Sequence, residues 1–449
     1  MKRFSITHGC LLALLCITVF SSCRPEPYES LDSQLDEALL DASNNQGRAY
    51  FQLPTDGDLG AIPQDPKNPL TPAKVELGKL LFHETALGTN PRIANGKGTY
   101  SCASCHHAAA GFSAGRAQGI GEGGVGFGIS GEARKADPTY PSDSIDVQPL
   151  RSPTAINIAY QKNVLWNGQF GATGMNVGTE DQWAYGTPIE ENYLGYEGTE
   201  TQAIAGLKVH RMDVTSDLLT AAPGYEQLFA NAFPNVPAAD RLSREYAGLA
   251  IAAYERTLLP SQAPFQRWLR GDMNAMTDQE KMGAILFFGK ANCGSCHTGP
   301  ALNSMAFKAI GMGDLNGPGI IQMNPGHDAH LGRGGFTGKT EDMHCFKVPQ
   351  LYNLREMLFY GHGSTFTNLE SVVRYKNAGV PQKFSVGVER LDPAFVPLNL
   401  SDQEVRDIAV FLESGLYDDN LDRFVPSSTP SGQCFPNADP TSRVDLNCF

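Results

Sequence analysis

The chain has 449 residues, 41% of them hydrophobic, with 47 Gly and 29 Pro, which suits two or three loop-rich globular domains, each with its own core. Its formal net charge of −13 argues against nucleic acid as a partner. Leu11 to Phe20 is the longest apolar run and is too short for a comfortable bilayer span.

In chain order, Lys2 and Arg3 precede that run, as in an export signal, and it ends at Phe20-Ser-Ser-Cys23, where small residues lead into a cysteine. The expectation is a lipoprotein signal peptide over residues 1–23, with Cys23 as the lipid-bearing N-terminus of a protein held in the periplasm or cell envelope. Cleavage there removes Lys2 and Arg3 and no acid, leaving a charge of about −15. Residues 24–65 are polar apart from Leu31, Leu35 and Leu39, and read as a tether.

Order is expected from Thr71-Pro72, an N-cap followed by proline at the first helical position, with the helix running through Val75, Leu77, Leu80, Leu81 and Phe82. Cys102-Ala-Ser-Cys105-His106 follows, and its C-x-x-C-H spacing is that of covalent c-type haem attachment. Two thiols add to the haem vinyl groups, and the histidine becomes an axial ligand of the iron. The Gly-rich stretch Gly111 to Gly131 is expected to wrap haem edges. A helix over Arg241 to Leu258 carries Tyr246, Leu249, Ala250, Ala253 and Tyr254 on one side, and Pro260 and Pro264 mark a domain boundary.

The pattern then repeats. Thr277 with Glu280 forms a capping box, Met282 to Phe288 continues the helix, and Cys293-Gly-Ser-Cys296-His297 follows, 191 residues after the first motif. A closing helix over Ser401 to Ser414 has Ser401 and Glu404 as its capping box and Val405, Ile408, Phe411 and Leu412 as its buried stripe. A Cys₄ zinc site would leave the histidine after each pair unexplained, and compact zinc modules space their pairs far more closely. The expected fold is mainly α, two cytochrome c-like haem domains with long loops: an N-terminal domain at 66–262, a C-terminal domain at 263–425 and a tail at 426–449. In an oxidising compartment Cys434 and Cys448 can pair across the tail, which leaves Cys345 as the odd cysteine, buried rather than reactive.

Between residues 62 and 415 the chain resembles the bacterial di-haem cytochrome c peroxidase family, including its MauG-like branch. The resemblance rests on Asn68-Pro-Leu-Thr-Pro72, Leu77-Gly-Lys-Leu-Leu-Phe82, both C-x-x-C-H motifs, Arg151-Ser-Pro-Thr154, Leu165-Trp-Asn-Gly168, Phe346-Lys-Val-Pro-Gln-Leu-Tyr-Asn353 and Phe359-Tyr-Gly-His-Gly363. It implies two covalently bound c-type haems, a peroxidatic one on Cys102, Cys105 and His106 and an electron-transfer one on Cys293, Cys296 and His297. Trp166 matches the tryptophan that bridges them. Gln202 matches the distal glutamine, while His210 or Arg211 falls where the family has a glutamate. His210 is therefore expected as acid–base and Arg211 as electrostatic helper, with Glu190, Glu191 and Glu197 as back-up.

Glu122 stands where many relatives carry a blocking histidine, which implies a peroxidatic site open without reductive activation. At the sixth-ligand position of the second haem the register gives Lys376, with Tyr375 just before it; Met305 and Met312 stay open as well. The family's interdomain calcium loses an Asn ligand to Arg151, and His362 matches a structural histidine. His107 is assigned no role.

The activity implied is reduction of hydrogen peroxide by electrons from a small cytochrome c-like donor. The alternatives are MauG-like oxidation of partner-protein residues, or electron transfer without catalysis. Beyond attachment to the membrane through lipid, a homodimer stays open.

Overall fold

The computed structural model describes residues 1, 30–214 and 216–448. The signal expectation, with Cys10, Cys16 and Cys23, lies outside them. Among the described residues, seven helices of nine or more residues carry the fold: α1 (Leu31–Ala42), α2 (Pro72–His83), α3 (Gly198–Val209), α4 (Arg244–Glu255), α5 (Asp278–Phe288), α6 (Leu369–Ala378) and α7 (Asp402–Val410). Among the described residues the strands are two antiparallel pairs of two residues, Gly124–Val125 with Lys135–Ala136 and Phe307–Lys308 with Phe346–Lys347. The architecture is mainly α, with long loops between the helices.

Helix starts follow local capping chemistry. The side chain of Thr71 accepts from the Lys74 amide, and both expected capping boxes form, Thr277 with Glu280 and Ser401 with Glu404. The helix expected over Arg241–Leu258 is shorter at both ends. It begins after Ser243, whose hydroxyl accepts from the Tyr246 amide, and ends at Glu255, beyond which Thr257 and Leu258 turn back onto Tyr254 and Glu255. Helix α7 runs on into a π turn over Phe411–Gly415.

The two halves repeat one packing device. A Cβ on Gly78 of α2 would fall 1.9 Å from the Ala250 carbonyl oxygen of α4. One on Gly283 of α5 would fall 2.0 Å from the Asp407 carbonyl oxygen of α7. In each half the helix leading to a C-x-x-C-H motif crosses a later helix backbone to backbone, and only glycine permits that approach. These are the two cytochrome c-like domains.

The tether expectation is corrected for residues 31–65. Leu35 and Leu39 of α1 are fully buried, each contributing roughly 1.5–3 kcal/mol. Asp32 accepts from Lys281 Nζ at 2.7 Å and Trp268 Nε1 at 2.6 Å, and the Phe51 ring packs 5.0 Å from Phe288. This segment therefore completes the core of the C-terminal domain.

Residues 434–448 of the expected tail return to the N-terminal domain, where Ser101 Oγ donates to the Pro436 carbonyl at 2.9 Å and Ser104 Oγ to Asn437 Oδ1 at 2.5 Å. Asp439 pairs with buried Arg134 at 3.5 Å, and Asp445 accepts from the amides of Phe127 and Gly128. The Cys434–Cys448 disulfide, closing 14 residues, staples the clasp. Replacing both cysteines with serine should cost about 3 kcal/mol in urea unfolding, from the loop entropy returned to the unfolded chain; an unchanged midpoint would show that the tail's polar contacts suffice. Cys345 is half-buried rather than buried, because it lies on the loop between Glu341 and Phe346.

Candidate functional site

Both C-x-x-C-H motifs open onto one continuous cavity of about 520 Å³. Cys102, Cys105 and His106 line it on one side, and Cys293, Cys296 and His297 on the other. The four thiols are unpaired with one another. Burial pushes those of Cys105 and Cys293 up to about 12, so as free thiols they stay protonated. His106 Nδ1 lies 3.2 Å from the Phe112 carbonyl oxygen; His297 Nδ1 lies 3.1 Å from that of Leu302 and 3.0 Å from that of Pro349. Each contact assigns the proton to Nδ1 and leaves the lone pair on Nε2. Burial depresses both imidazoles to about 4, which keeps that lone pair available to a metal.

The Gly-rich loop closes on the first motif. A Cβ on Gly119 would lie 2.9 Å from Cys105 Sγ and 2.6 Å from Ser152 Oγ, and one on Gly121 would lie 2.7 Å from Asp146 Oδ2. Glycine thus keeps the wall of the cavity clear beside Cys105.

Comparison with known proteins agrees with this geometry. Residues 72–274 match the family model described as di-haem cytochrome c peroxidase. The chain is 30% identical over 369 residues to the methylamine utilization protein MauG of Methylorubrum extorquens, covering 82% of this chain and 83% of that one. The chain belongs to the di-haem cytochrome c peroxidase family. It is also 28% identical over 398 residues to the cytochrome-c peroxidase IdrP1 of Denitromonas iodatirespirans, covering 83% of this chain and 89% of that protein. A solved MauG-like protein associated with microbial copper homeostasis shares the fold, with a TM-score of 0.54 at 23% identity over 82% of this chain and 95% of that one.

Membership implies two c-type haems carrying iron, and the residues fit them. Two neutral, carbonyl-anchored histidines, each beside a pair of thiols, face one shared cavity. The family's named members include both peroxidases and MauG, so membership alone leaves the two activities side by side.

On the side of this di-haem site that holds the first motif, Gln202 of α3 and His210, the residue just past its end, both line the cavity. His210 Nδ1 donates to Asp146 Oδ2 at 2.7 Å. Burial alone would lower the His210 pKa, but the charge and hydrogen bond of Asp146 outweigh it and the value is raised. Arg211 does not line the cavity. It stands at a positive φ of 58°, and its guanidinium pairs with Glu122 and, at 3.5 Å, with Asp146. The helper expected beside the substrate is instead a brace behind His210.

Glu122 is fully buried away from the cavity, accepting from Arg211, the amides of Arg92 and Ile93, and the Tyr140 hydroxyl. The back-up glutamates are also placed elsewhere, because each is paired with a cation of its own: Glu190 with Lys208, Glu191 with Arg244, and Glu197 with buried Arg256.

Trp166 lines the cavity with its indole Nε1 donating to the Arg151 carbonyl at 2.8 Å, and its ring stands edge-on to His362 at 6.2 Å. His362 stacks on Phe346 and faces Asp314 at 3.7 Å. Arg151, at the register of the calcium-ligating Asn, is buried and donates to Ser113 Oγ at 3.2 Å. His107 packs its ring on Phe127, off the cavity.

Of the sixth-ligand candidates, Lys376 and Met312 line the cavity, whereas Tyr375 and Met305 do not. Four acids in its wall, Asp146, Glu255, Asp314 and Asp392, went unmarked in the sequence. Asp146 sits in a polar loop with no motif around it, so nothing local signalled it. Glu255 was legible in principle, as a lone carboxylate at the end of the apolar run Leu249 to Tyr254. Its carboxyl is buried, with Oε2 unpartnered among the described residues, and burial pushes it up to about 8.

Proposed function

We propose that the protein is an exported di-haem peroxidase, lipid-anchored through Cys23 in the periplasm or cell envelope. It reduces hydrogen peroxide to water with electrons taken singly from a small cytochrome c-like donor. Cys102 and Cys105, and Cys293 and Cys296, would hold the haems through thioether bonds, with His106 and His297 as the histidines that would bind the irons. The observation that carries this reading is the His210–Asp146 pair, 2.7 Å apart, in the wall shared with His106 and Gln202.

Two bound haems would supply the redox chemistry, a two-electron reduction fed one electron at a time. The protein's own part is proton movement. Neutral His210 takes a peroxide proton at Nε2 and returns it to the departing oxygen, which leaves as water. Asp146 holds the opposite Nδ1–H and stabilises the imidazolium formed in between, Gln202 orients the substrate through its amide, and Trp166 conducts between the two halves of the cavity. Oxidation of partner-protein residues is the second reading. It is disfavoured because Tyr375, the ligand that would favour it, gives its hydroxyl proton to the Ile310 carbonyl.

The test uses mature protein from a haem-maturing host. An alkaline pyridine spectrum should count two haems per chain, and adding hydrogen peroxide should oxidise two equivalents of a reduced small c-type cytochrome per peroxide consumed. Two haems without peroxide-dependent oxidation of any donor would leave an electron-transfer cytochrome and overturn the proposal.

A further inference from the structure

Helix α6 presents one stripe to the cavity: Leu369, Val372, Val373 and Lys376, at i, i+3, i+4 and i+7. Three of the four are apolar and the fourth ends in an amine. Tyr375, one residue earlier, is turned off that stripe by the helical rotation of about 100° per residue. Its ring packs 5.2 Å from both Phe366 and Phe395, and its hydroxyl is bonded to the Ile310 carbonyl.

The Lys376 amine has no carboxylate or carbonyl within hydrogen-bond distance among the described residues. What surrounds it is aromatic, the rings of Tyr375 at 5.9 Å and Phe395 at 5.7 Å. The neighbouring acid, Asp392, is already paired with Lys308 at 2.8 Å. An ammonium held in an apolar wall without a counter-ion is costly, and a neutral amine donating its lone pair to a metal removes that cost. Met312 also borders the cavity, but its Sδ lies over Gly361, in the wall with Trp166 and His362.

We infer that Lys376 Nζ is the axial ligand opposite His297 on the second haem. The inference rests on the haem reading proposed above, and binding releases the ammonium proton to solvent. It places a nitrogen donor where a thioether would raise the potential, so the second iron is a low-spin centre tuned by two nitrogens.

The test is spectroscopic and independent of turnover. In the oxidised two-haem protein, near-infrared magnetic circular dichroism should show a low-spin haem with a histidine–amine charge-transfer band; a thioether or phenolate band in the unaltered protein overturns the assignment without any variant. Lys376→Ala should convert that haem from low-spin to high-spin in electron paramagnetic resonance. Lys376→Met, a flexible unbranched side chain one atom shorter that carries a thioether donor, should restore a low-spin centre with a thioether band and a higher reduction potential, and Tyr375→Phe should leave the signal unchanged. Two haems per chain with the low-spin signal intact in Lys376→Ala, or lost in Met312→Leu, would overturn the lysine assignment alone. Fewer than two haems in the unaltered protein would overturn the haem reading beneath it.

Discussion

Replacing His210 with alanine is expected to lower peroxide turnover by roughly 10²–10⁴-fold, the usual contribution of a positioned general acid–base, while both haem spectra and the haem count stay the same. The separation follows from geometry. His210 meets the cavity from the end of α3, whereas the attachment and proximal ligation proposed above fall to residues 102–106 and 293–297.

Asp146→Asn tests the same unit by pH. His210 must be neutral to accept the peroxide proton, and Asp146 raises its pKa, so the acid limb of kcat/KM should lie above the ordinary histidine range in the native enzyme. The asparagine variant should move that limb to lower pH. The linked stability has the matching sign. The pair stabilises the fold fully below the unfolded histidine pKa, and that contribution is lost as pH rises through the raised folded value. If turnover survives His210→Ala unaltered, the proton is handled elsewhere, and Glu255 is the next group in the wall to replace.

Gly283→Ala, and equally Gly78→Ala, should destabilise the haem-loaded protein by at least about 3 kcal/mol, at or beyond the usual cost of overpacking a core. The added methyl would meet a helix carbonyl oxygen at 2.0 Å in one case and 1.9 Å in the other. A side chain can rotate away from such a clash, but a carbonyl inside a helix cannot without losing its hydrogen bond, so the two helices must separate. Each crossing sits beside a haem motif, so lower haem incorporation should accompany the fall in melting temperature. Gly60→Ala is the control, since its Cβ would meet only Asp58 Oδ1 at 3.7 Å; equal melting temperatures for Gly283→Ala and Gly60→Ala would refute the close-crossing argument.

The parts legible from residue order share one property: their chemistry closes within a few residues. A capping box spans four positions, so Thr277 with Glu280 and Ser401 with Glu404 could be placed directly. A C-x-x-C-H motif spans five, and the glycine of the preceding helix marks the repeat. The misplaced parts depend on distant partners. Leu35 and Leu39 looked like a patch on a tether because the helix that buries them lies more than 200 residues on. Arg211 looked like a substrate contact because its partner Glu122 is 89 positions away, and Asp146, 64 positions before His210, had no local signature.

Residue order by itself therefore determined the haem motifs, the repeated helix leading to each, the mainly helical class and the family. Tertiary structure alone decided that residues 31–65 and 434–448 are structural, that His210 rather than Arg211 faces the cavity, and that Lys376 rather than Tyr375 lies on its wall. Short-range hydrogen bonding and covalent spacing are written into neighbouring residues. The direction in which a side chain points into a shared cavity is set by packing between segments that meet only after the chain has folded.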